Sequence, residues 1–505
     1  MTEAPVPPRP RKRSGGHAVG ILSNAFGDPY SIPLAQAAAQ KLTQSGLHSI
    51  CFTGGFPNAP FFRNNDGEVA VPDAVDAMIL LSATLRGSDE ELKQMVESSS
   101  TAVVSIGANL ARASSVTADD ETGVFQAIAH LVKRHDCKRI AFIAGPEGSF
   151  DGARRLTAYR IALDSFKLPW DPTLAVRGDY EARSGREAVL ELRRNGSRSF
   201  DAIVAANDLM AIGAIEGLRA GGMKVPDEVK VVGFDDMEEA SFTSPSLTTV
   251  RQPITEQGLC AADLVIRELG GEALEDVPTH ISTPLVIRQS CGCGAAGADT
   301  TRRIAKPTGS EREDRELVGD ALRGVVRQKL AQRRVQRELS RLADALLAAP
   351  GFPELALGLT KVFRLLNAQR FLLCVYAANQ RQARVALESS GRDVVFRNES
   401  QFFPVGQIVP QHFLKSAKPS QLWLEPLRIA DEQLGYFVIE AETPDGQSHL
   451  ELRHHLSSAL GRIGLTRELR RAYAAERAGR IAGGSNSPSS PPVRTPLPSK
   501  PPTRK

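Results

Sequence analysis

Long apolar runs are missing from this chain. No stretch approaches the ~18–20 uninterrupted apolar residues a helix needs to span a bilayer, so an integral membrane protein is excluded. A secretory leader is missing too. Met1 to Gly16 is rich in proline and carries Arg9, Arg11, Lys12 and Arg13, with no apolar core or cleavage site before the first expected strand, which places the chain in the cytoplasm. Cysteine is scarce: Cys51, Cys137, Cys260, Cys374 and the pair Cys291 and Cys293 are the only six in 505 residues. That is no disulfide framework, and reduced thiols fit a cytosolic protein. Charge of one sign is lacking as well. The formal net charge is +4, with the basic excess largely in the two tails, so global electrostatics give no strong case for nucleic acid. Catalytic signatures are absent: there is no Gly-x-Ser-x-Gly elbow, no Walker phosphate loop and no zinc-protease helix. No enzyme and no cofactor is expected.

What is present is a globular composition, 42% hydrophobic and 24% charged, on a chain long enough for two or three domains. From Val19 to about Gln289, near-continuous apolar runs alternate with helical segments. The runs are VGILS (19–23), HSICF (48–52), AMILL (77–81), AVVSI (102–106), RIAFIAG (139–145), DAIVAA (201–206) and VKVVGF (229–234). Unalternating apolar strands belong to parallel sheets covered by helices on both faces. Between them, Ser88 with Glu91 reads as a capping box. Val124, Ile128, Leu131 and Val132 share one helix face, and Leu259, Ala262, Ile266 and Leu269 another. The series breaks around Ser114 to Asp120. This predicts an α/β fold of two lobes, each a Rossmann-like parallel sheet, with ligand chemistry in the loops after the strands.

Gly292 to about Arg315 reads as a linker. A helical stripe of Val335, Leu339, Leu342 and Leu346 follows, then strand-like runs at 370–377, 383–389, 421–427 and 434–441, then a helix with Leu452, Leu456, Leu460 and Ile463 on one side. Helix, strands and helix make a smaller α+β domain. From Gly483 the tail is Pro/Ser-rich without periodicity and is expected to be disordered. The expected division is a basic leader at 1–16, a ligand-binding module at 17–293, a linker and helix start at 294–327, the second unit with its flanking helices at 328–475, and a tail at 476–505.

The strand-end loops hold a polar and aromatic set suited to a ligand with many hydroxyls: Asn24, Phe26, Asp28 and Tyr30, then Phe150, Asp151, Arg154 and Arg155, then Asn207 and Asp208, then Asp235 and Asp236. Planar carboxylate, amide and guanidinium groups bond such a ligand twice, and rings cover its faces. Each residue also has a plain structural reading. Asn207 or Asp208 can cap the next helix, Asp235 and Asp236 can be turn residues, Arg154 and Arg155 can lie on a solvated face, and Tyr30 can pack at a helix start. Cys291-Gly-Cys293 offers two thiols without nearby His or further Cys, too few for zinc's four positions, so no metal is expected. His454 and His455 read as a solvated helix face.

The phrases GPEGSFDGARRLTAYRIAL, DAIVAANDLMAIGAIEGLRAGGMKVPDEVKVVGFDD, PSLTTVRQP and LVIRQSCGC resemble the effector-binding module of the LacI/GalR family, a periplasmic-binding-protein-like fold. The resemblance covers 17–293 and is tightest in the second lobe. It implies a sensor that binds a sugar-like or nucleoside-like ligand between its lobes, commonly as a homodimer. It assigns ligand contacts to Arg155, Asn207 and Asp235, with Asp28 and Tyr30 in the first-lobe ligand loop and Phe150 at the start of the helix that carries Arg155. Ala158 stands where the family usually has glycine. Phrases such as LRIADEQLGYFVIEA and ELRHHLSSALGRIGLTREL make residues 330–475 similar to a GAF-type domain between signalling helices, which implies a downstream signalling or transcription partner. The Pro-rich stretch before Val19 leaves too little room for a helix-turn-helix, which speaks against direct operator binding. The expectation is a cytosolic small-molecule-sensing regulator, with a DNA-binding repressor and a transport solute receptor as the alternatives.

Overall fold

A computed structural model describes residues 17–293 and 335–482, apart from 25–29, 65, 86–88, 195–199, 273, 275–276, 367, 391, 398–400, 415–417 and 442–445. The expected leader, most of the linker, the tail from 483, Ser88 of the capping box, and Phe26 and Asp28 therefore lie outside the described residues.

Five strands open the chain: β1 (Ala18–Ser23), β2 (His48–Thr53), β3 (Ala77–Leu81), β4 (Ala102–Ile106) and β5 (Ser114–Ala118), with α1 (Ser31–Gln44) after β1 and α2 (Asp89–Ser98) after β3. The chain then crosses to α3 (Asp120–His135), β6 (Ile140–Ala144), α4 (Phe150–Ser165), β7 (Ala175–Arg177), α5 (Ala182–Arg194), β8 (Ala202–Ala205), α6 (Asp208–Ala220), β9 (Lys230–Asp235), α7 (Glu238–Phe242) and β10 (Thr248–Arg251). It returns to the first lobe for α8 (Ile254–Leu269) and β11 (Thr279–Ile281), and goes back to the second for β12 (Leu285–Val286). The first lobe's strands run β11-β5-β4-β3-β1-β2, and the second sheet runs β12-β10-β9-β8-β6-β7. β1, β2, β3, β6 and β8 are buried along their whole length. That burial explains why they read as unbroken apolar runs.

The lobes are joined by three crossovers that are hydrogen-bonded to one another. Asp119 N donates to Ile281 O at 2.9 Å, Thr283 Oγ1 to Asp119 O at 2.6 Å, and Arg251 N to Pro284 O at 2.8 Å. The break expected around Ser114 to Asp120 does hold the first crossover, but one more strand of the first sheet, β5, comes immediately before it. Its polar residues, Ser115 and Thr117, are buried yet bonded, which hid the strand from a hydrophobicity reading.

A second correction concerns α8. Its buried face is Gln257, Gly258, Ala261, Ala262 and Val265, whereas Leu259 is exposed. Small residues win this face because α8 lies close against α1: a Cβ on Gly258 would stand 2.4 Å from Leu34 O.

Residues 335–348 form α9, followed by α10 (Phe352–Leu365), β13 (Arg370–Tyr376), β14 (Gln382–Ser390), β15 (Asp393–Phe396), β16 (Phe402–Pro404), α11 (Gln411–Leu414), β17 (Gln421–Ile429), β18 (Glu432–Glu440) and α12 (Gly446–Ala482). The stripe Leu452, Leu456, Leu460 and Ile463 of α12 is buried, as are Leu339 and Leu346 of α9. The antiparallel strands β17-β18-β13-β14-β15 do not form a separate sheet. β17 pairs in parallel with β2, from Gln421 opposite Ser49 to Leu424 opposite Phe52, giving one sheet of 12 strands. Side chains reinforce this seam. Ser420 N donates to His48 Nδ1 at 3.1 Å, Thr53 Oγ1 to Leu424 O at 3.0 Å, and Gln421 Nε2 to Thr43 Oγ1 at 3.1 Å. Hydrophobic cores on both faces run across it, while the second lobe keeps a core of its own. No helix among the described residues is long and apolar enough to cross a membrane.

The two tryptophans of the chain divide between these bodies, Trp170 in the second lobe and Trp423 buried in the shared sheet. Overpacking a tight helix contact costs about 1–3 kcal/mol. In a Trp170→Phe background, Gly258→Val in the first lobe is therefore expected to lower the urea midpoint reported by Trp423 fluorescence. An unmoved Trp423 transition would show that the two units unfold independently.

Candidate ligand site

Four elements of the second lobe end next to the crossovers. α3 begins there, with the Asp119 side chain accepting from Thr122 N at 3.1 Å. Ser149 caps α4 by accepting from Gly152 N at 3.1 Å, so that Arg155 falls on the buried face one turn in. β9 ends at Asp235 and Asp236, both in left-handed backbone at φ 118° and 58°. A non-glycine residue rarely adopts such angles unless its surroundings enforce them. The fourth element is the start of α6, where Asn207 Oδ1 accepts from Met210 N at 3.0 Å and Nδ2 donates to Tyr180 O at 2.9 Å. Asn207 is thus the helix cap, with both side-chain polar atoms bonded inside the protein.

Arg155 is the centre of the arrangement. Only 3% exposed, it donates from Nε to Asp120 Oδ1 at 2.9 Å and from Nη1 to Ala206 O at 2.6 Å, with Asp235 Oδ1 3.6 Å from Nη1. The Phe234 ring covers the guanidinium face at 3.7 Å. Burial opposes charge on Arg155, but Asp120, Asp235 and Asp151 together outweigh it and hold the guanidinium charged more firmly than usual. Asp235 moves the other way: burial raises its carboxyl well above the usual range, Arg155 only partly countering it. Tyr30, from the first lobe, has its phenol raised by burial and then by the Asp151 charge, and it also senses Arg155 and Asp235. One aromatic hydroxyl of the first lobe is therefore within electrostatic reach of the charged group of the second. Arg154 ties the group to the hinge, donating from Nη2 to Ala118 O at 3.2 Å.

Arg155 and Asp235 thus come together, with Tyr30 within their electrostatic reach, and Asn207 borders them through its neighbour Ala206. Phe150 stands apart at the first position of α4, 45% exposed. Asp120 was not among the residues expected, although it is the nearest ionic partner of Arg155. An acid in the first turn of a helix looks like ordinary dipole compensation, so nothing in sequence singled it out. Tyr180 was missed as well. Its hydroxyl lies 2.8 Å from Ser149 Oγ, and its backbone is left-handed at φ 72°. A separate cavity of about 440 Å³, lined partly by Gln36, Gln40, Gln369 and Gln421, opens between α1 and the 335–482 unit and includes none of these residues.

The expectation that Cys291 and Cys293 lack histidine neighbours is overturned. The fold brings His130 and His135 to them, and the four ligand atoms lie within 4.8 Å of one another.

Residues 128–291 match the family model of the periplasmic binding protein-like domain. Over 269 residues the chain is 32% identical to the HTH-type transcriptional regulator CelR of Thermobifida fusca, an alignment covering 52% of this chain and 77% of CelR. The chain belongs to the LacI/GalR family. Within that family it is 27% identical over 283 residues to the ribose operon repressor of Escherichia coli K12, covering 56% of this chain and 84% of the repressor. Among solved structures, a complex of the regulator CelR with cellobiose aligns at 29% identity and a TM-score of 0.48, over 56% of this chain and 86% of that one. As a LacI/GalR-family regulator the chain is not an enzyme. CelR is named as a helix-turn-helix regulator, which runs against the expectation that direct operator binding is doubtful.

Asp208, beside the cluster, is buried. It accepts from Thr249 Oγ1 at 2.6 Å and Met237 N at 2.8 Å, and burial pushes its carboxyl up to about 7. The unfolded value is ~3.9, so the folded state binds the extra proton between these limits and stability falls as pH rises through them. In Asp208→Asn the amide oxygen can keep the Met237 bond and the amide nitrogen can donate to Thr249. That variant is expected to gain stability relative to wild type as pH rises from about 4 to 7, read from urea midpoints. A pH-independent difference would show that this carboxyl titrates normally.

Proposed function

We propose that this LacI/GalR-family chain is a cytoplasmic, sugar-responsive transcription regulator whose effector binds beside Arg155 and Asp235 and holds the second lobe against the first. The observation that carries the reading is a buried guanidinium held between Asp120 and Asp235 at the hinge, with Tyr30 of the other lobe within electrostatic reach. Carboxylate acceptors, guanidinium donors and a phenol match the paired hydroxyls of a polyol. The relatives' names, a ribose operon repressor and a regulator solved with cellobiose, support a carbohydrate ahead of a nucleoside.

Shifting a two-state hinge from mostly open to mostly closed takes about 5.5 kcal/mol of differential affinity. Charge-assisted hydrogen bonds contribute roughly 1.5–3 kcal/mol each, so two or three made only in the closed form suffice. The second lobe would move against a larger body, because the first lobe shares its sheet with residues 370–440. We read that 335–482 unit as GAF-like on its order of helix, antiparallel strands and helix, and as the element that passes the change to a partner or to a second copy of the chain.

A thermal-shift screen over pentoses, hexoses, disaccharides and nucleosides tests the proposal, with ribose and cellobiose included. A neutral sugar is expected to raise the melting temperature of wild type, and Asp235→Asn to weaken its binding roughly tenfold to a hundredfold with an unchanged circular dichroism spectrum. Unaltered affinity in that variant would remove Asp235 from the site. The names of the relatives favour a second reading, that the chain contacts DNA itself, and a gel shift on its own upstream region, with and without the sugar, decides it.

A further inference from the structure

The second lobe ends on Cys291-Gly292-Cys293. Gly292 is left-handed at φ 97°, the region that favours glycine, and this tight turn presents both thiols to the last turns of α3. Five residues apart, His130 and His135 do not share a helix face by spacing. They meet because His135 is the final residue of α3, just before the left-handed Asp136, and their rings stand 4.9 Å apart.

The distances among the four atoms are specific. His130 Nε2 lies 3.2 Å from His135 Nε2 and 3.4 Å from Cys291 Sγ, and Cys293 Sγ lies 3.4 Å from His135 Nε2 and 3.7 Å from His130 Nε2. A tetrahedral zinc ion with bonds of about 2.0–2.1 Å to nitrogen and 2.3 Å to sulfur has edges of about 3.3 Å between nitrogens and 3.6 Å between nitrogen and sulfur. Four of the six edges between the side-chain atoms lie close to that figure, and the other two are within 4.8 Å.

We propose that His130, His135, Cys291 and Cys293 form a structural site for one zinc-type divalent ion, closing the end of the second lobe. All four positions come from protein, so no coordination site is left for catalysis. Two thiolates neutralise the ion, which suits a half-buried place. Burial, with His135 and Arg134 adding to it, lowers the His130 imidazole to about 4 and keeps a lone pair free, while burial and then Cys291 push the Cys293 thiol up to about 11. Binding would release both thiol protons. The Cys291 proton now points at the Arg288 carbonyl, 3.4 Å from Sγ.

The ion's place in the fold gives it a role. α3 carries Asp120 at one end and the two histidines at the other, about 24 Å of helix for 16 residues. Zinc would tie the point where the chain leaves the second lobe to the same rod that holds Arg155.

Metal analysis of the full-length protein purified under reducing conditions tests this, together with cobalt(II) titration after chelator stripping. Expected are one zinc per chain and the absorption of a tetrahedral thiolate–cobalt centre. Cys293→Ser and His130→Gln should lose both, and Cys137→Ser, next to the cluster but outside it, should keep both. Wild-type protein with no bound metal and no tetrahedral cobalt spectrum would overturn the proposal. So would a Cys293→Ser variant that binds as wild type does. The cobalt titration of wild type stands even if a ligand variant fails to fold.

Discussion

A guanidinium held almost wholly out of water costs several kcal/mol in lost hydration unless charge and hydrogen bonds replace what the solvent supplied. Arg155 meets that demand with a carboxylate from α3, the carbonyl of Ala206 just after β8, the Asp235 carboxyl at the end of β9 and an aromatic face. Three separate stretches of chain must therefore arrive at one point in fixed orientation. The left-handed backbone at Asp235 and Asp236 is consistent with that requirement, and Asp236 is itself pinned by Arg288 at 2.6 Å and Arg251 at 2.7 Å. The same residues border the crossovers, so the geometry of the hinge and that of the candidate site are set together.

On the far side of the hinge the structure is less independent than a chain of domains would be. The parallel pairing of β2 with β17 and the cores on both faces of the seam make the first lobe and the 335–482 unit a single sheet with shared packing. Phe61 of the first lobe stands 5.9 Å from Tyr436 of the later unit, edge to face, and Trp423 donates to Ala441 O at 3.0 Å within it. Motion, where it occurs, is thereby directed to the second lobe, whose core is self-contained.

Much of this was legible in the sequence because burial on both sheet faces writes itself as unbroken apolar runs. Seven strands of the two lobes were found that way, and Arg155 and Asp235 by their position after strands. What escaped did so for physical reasons. β5 is built from serine and threonine that satisfy their hydroxyls internally. α8 buries glycine and alanine, which carry little hydrophobic signal, and leaves Leu259 outside. Asp120 has the composition of any helix start. The thiol and imidazole cluster joins residues some 160 positions apart, such as His130 and Cys291, and no local spacing announces such a meeting. The seam between β2 and β17 was equally invisible, since pairing between distant strands leaves no mark in either one alone.

That seam also decides where the great sheet stops. A bare β2, six residues long, would be a template for a second molecule to zip onto. With β17 laid along it, the ends of the sheet become β11, three residues and mostly exposed, and β15, four residues beginning with Asp393. Stubs this short offer little for a neighbour to continue, so the later unit also acts as a cover that keeps the molecule from growing into a ribbon with its own copies.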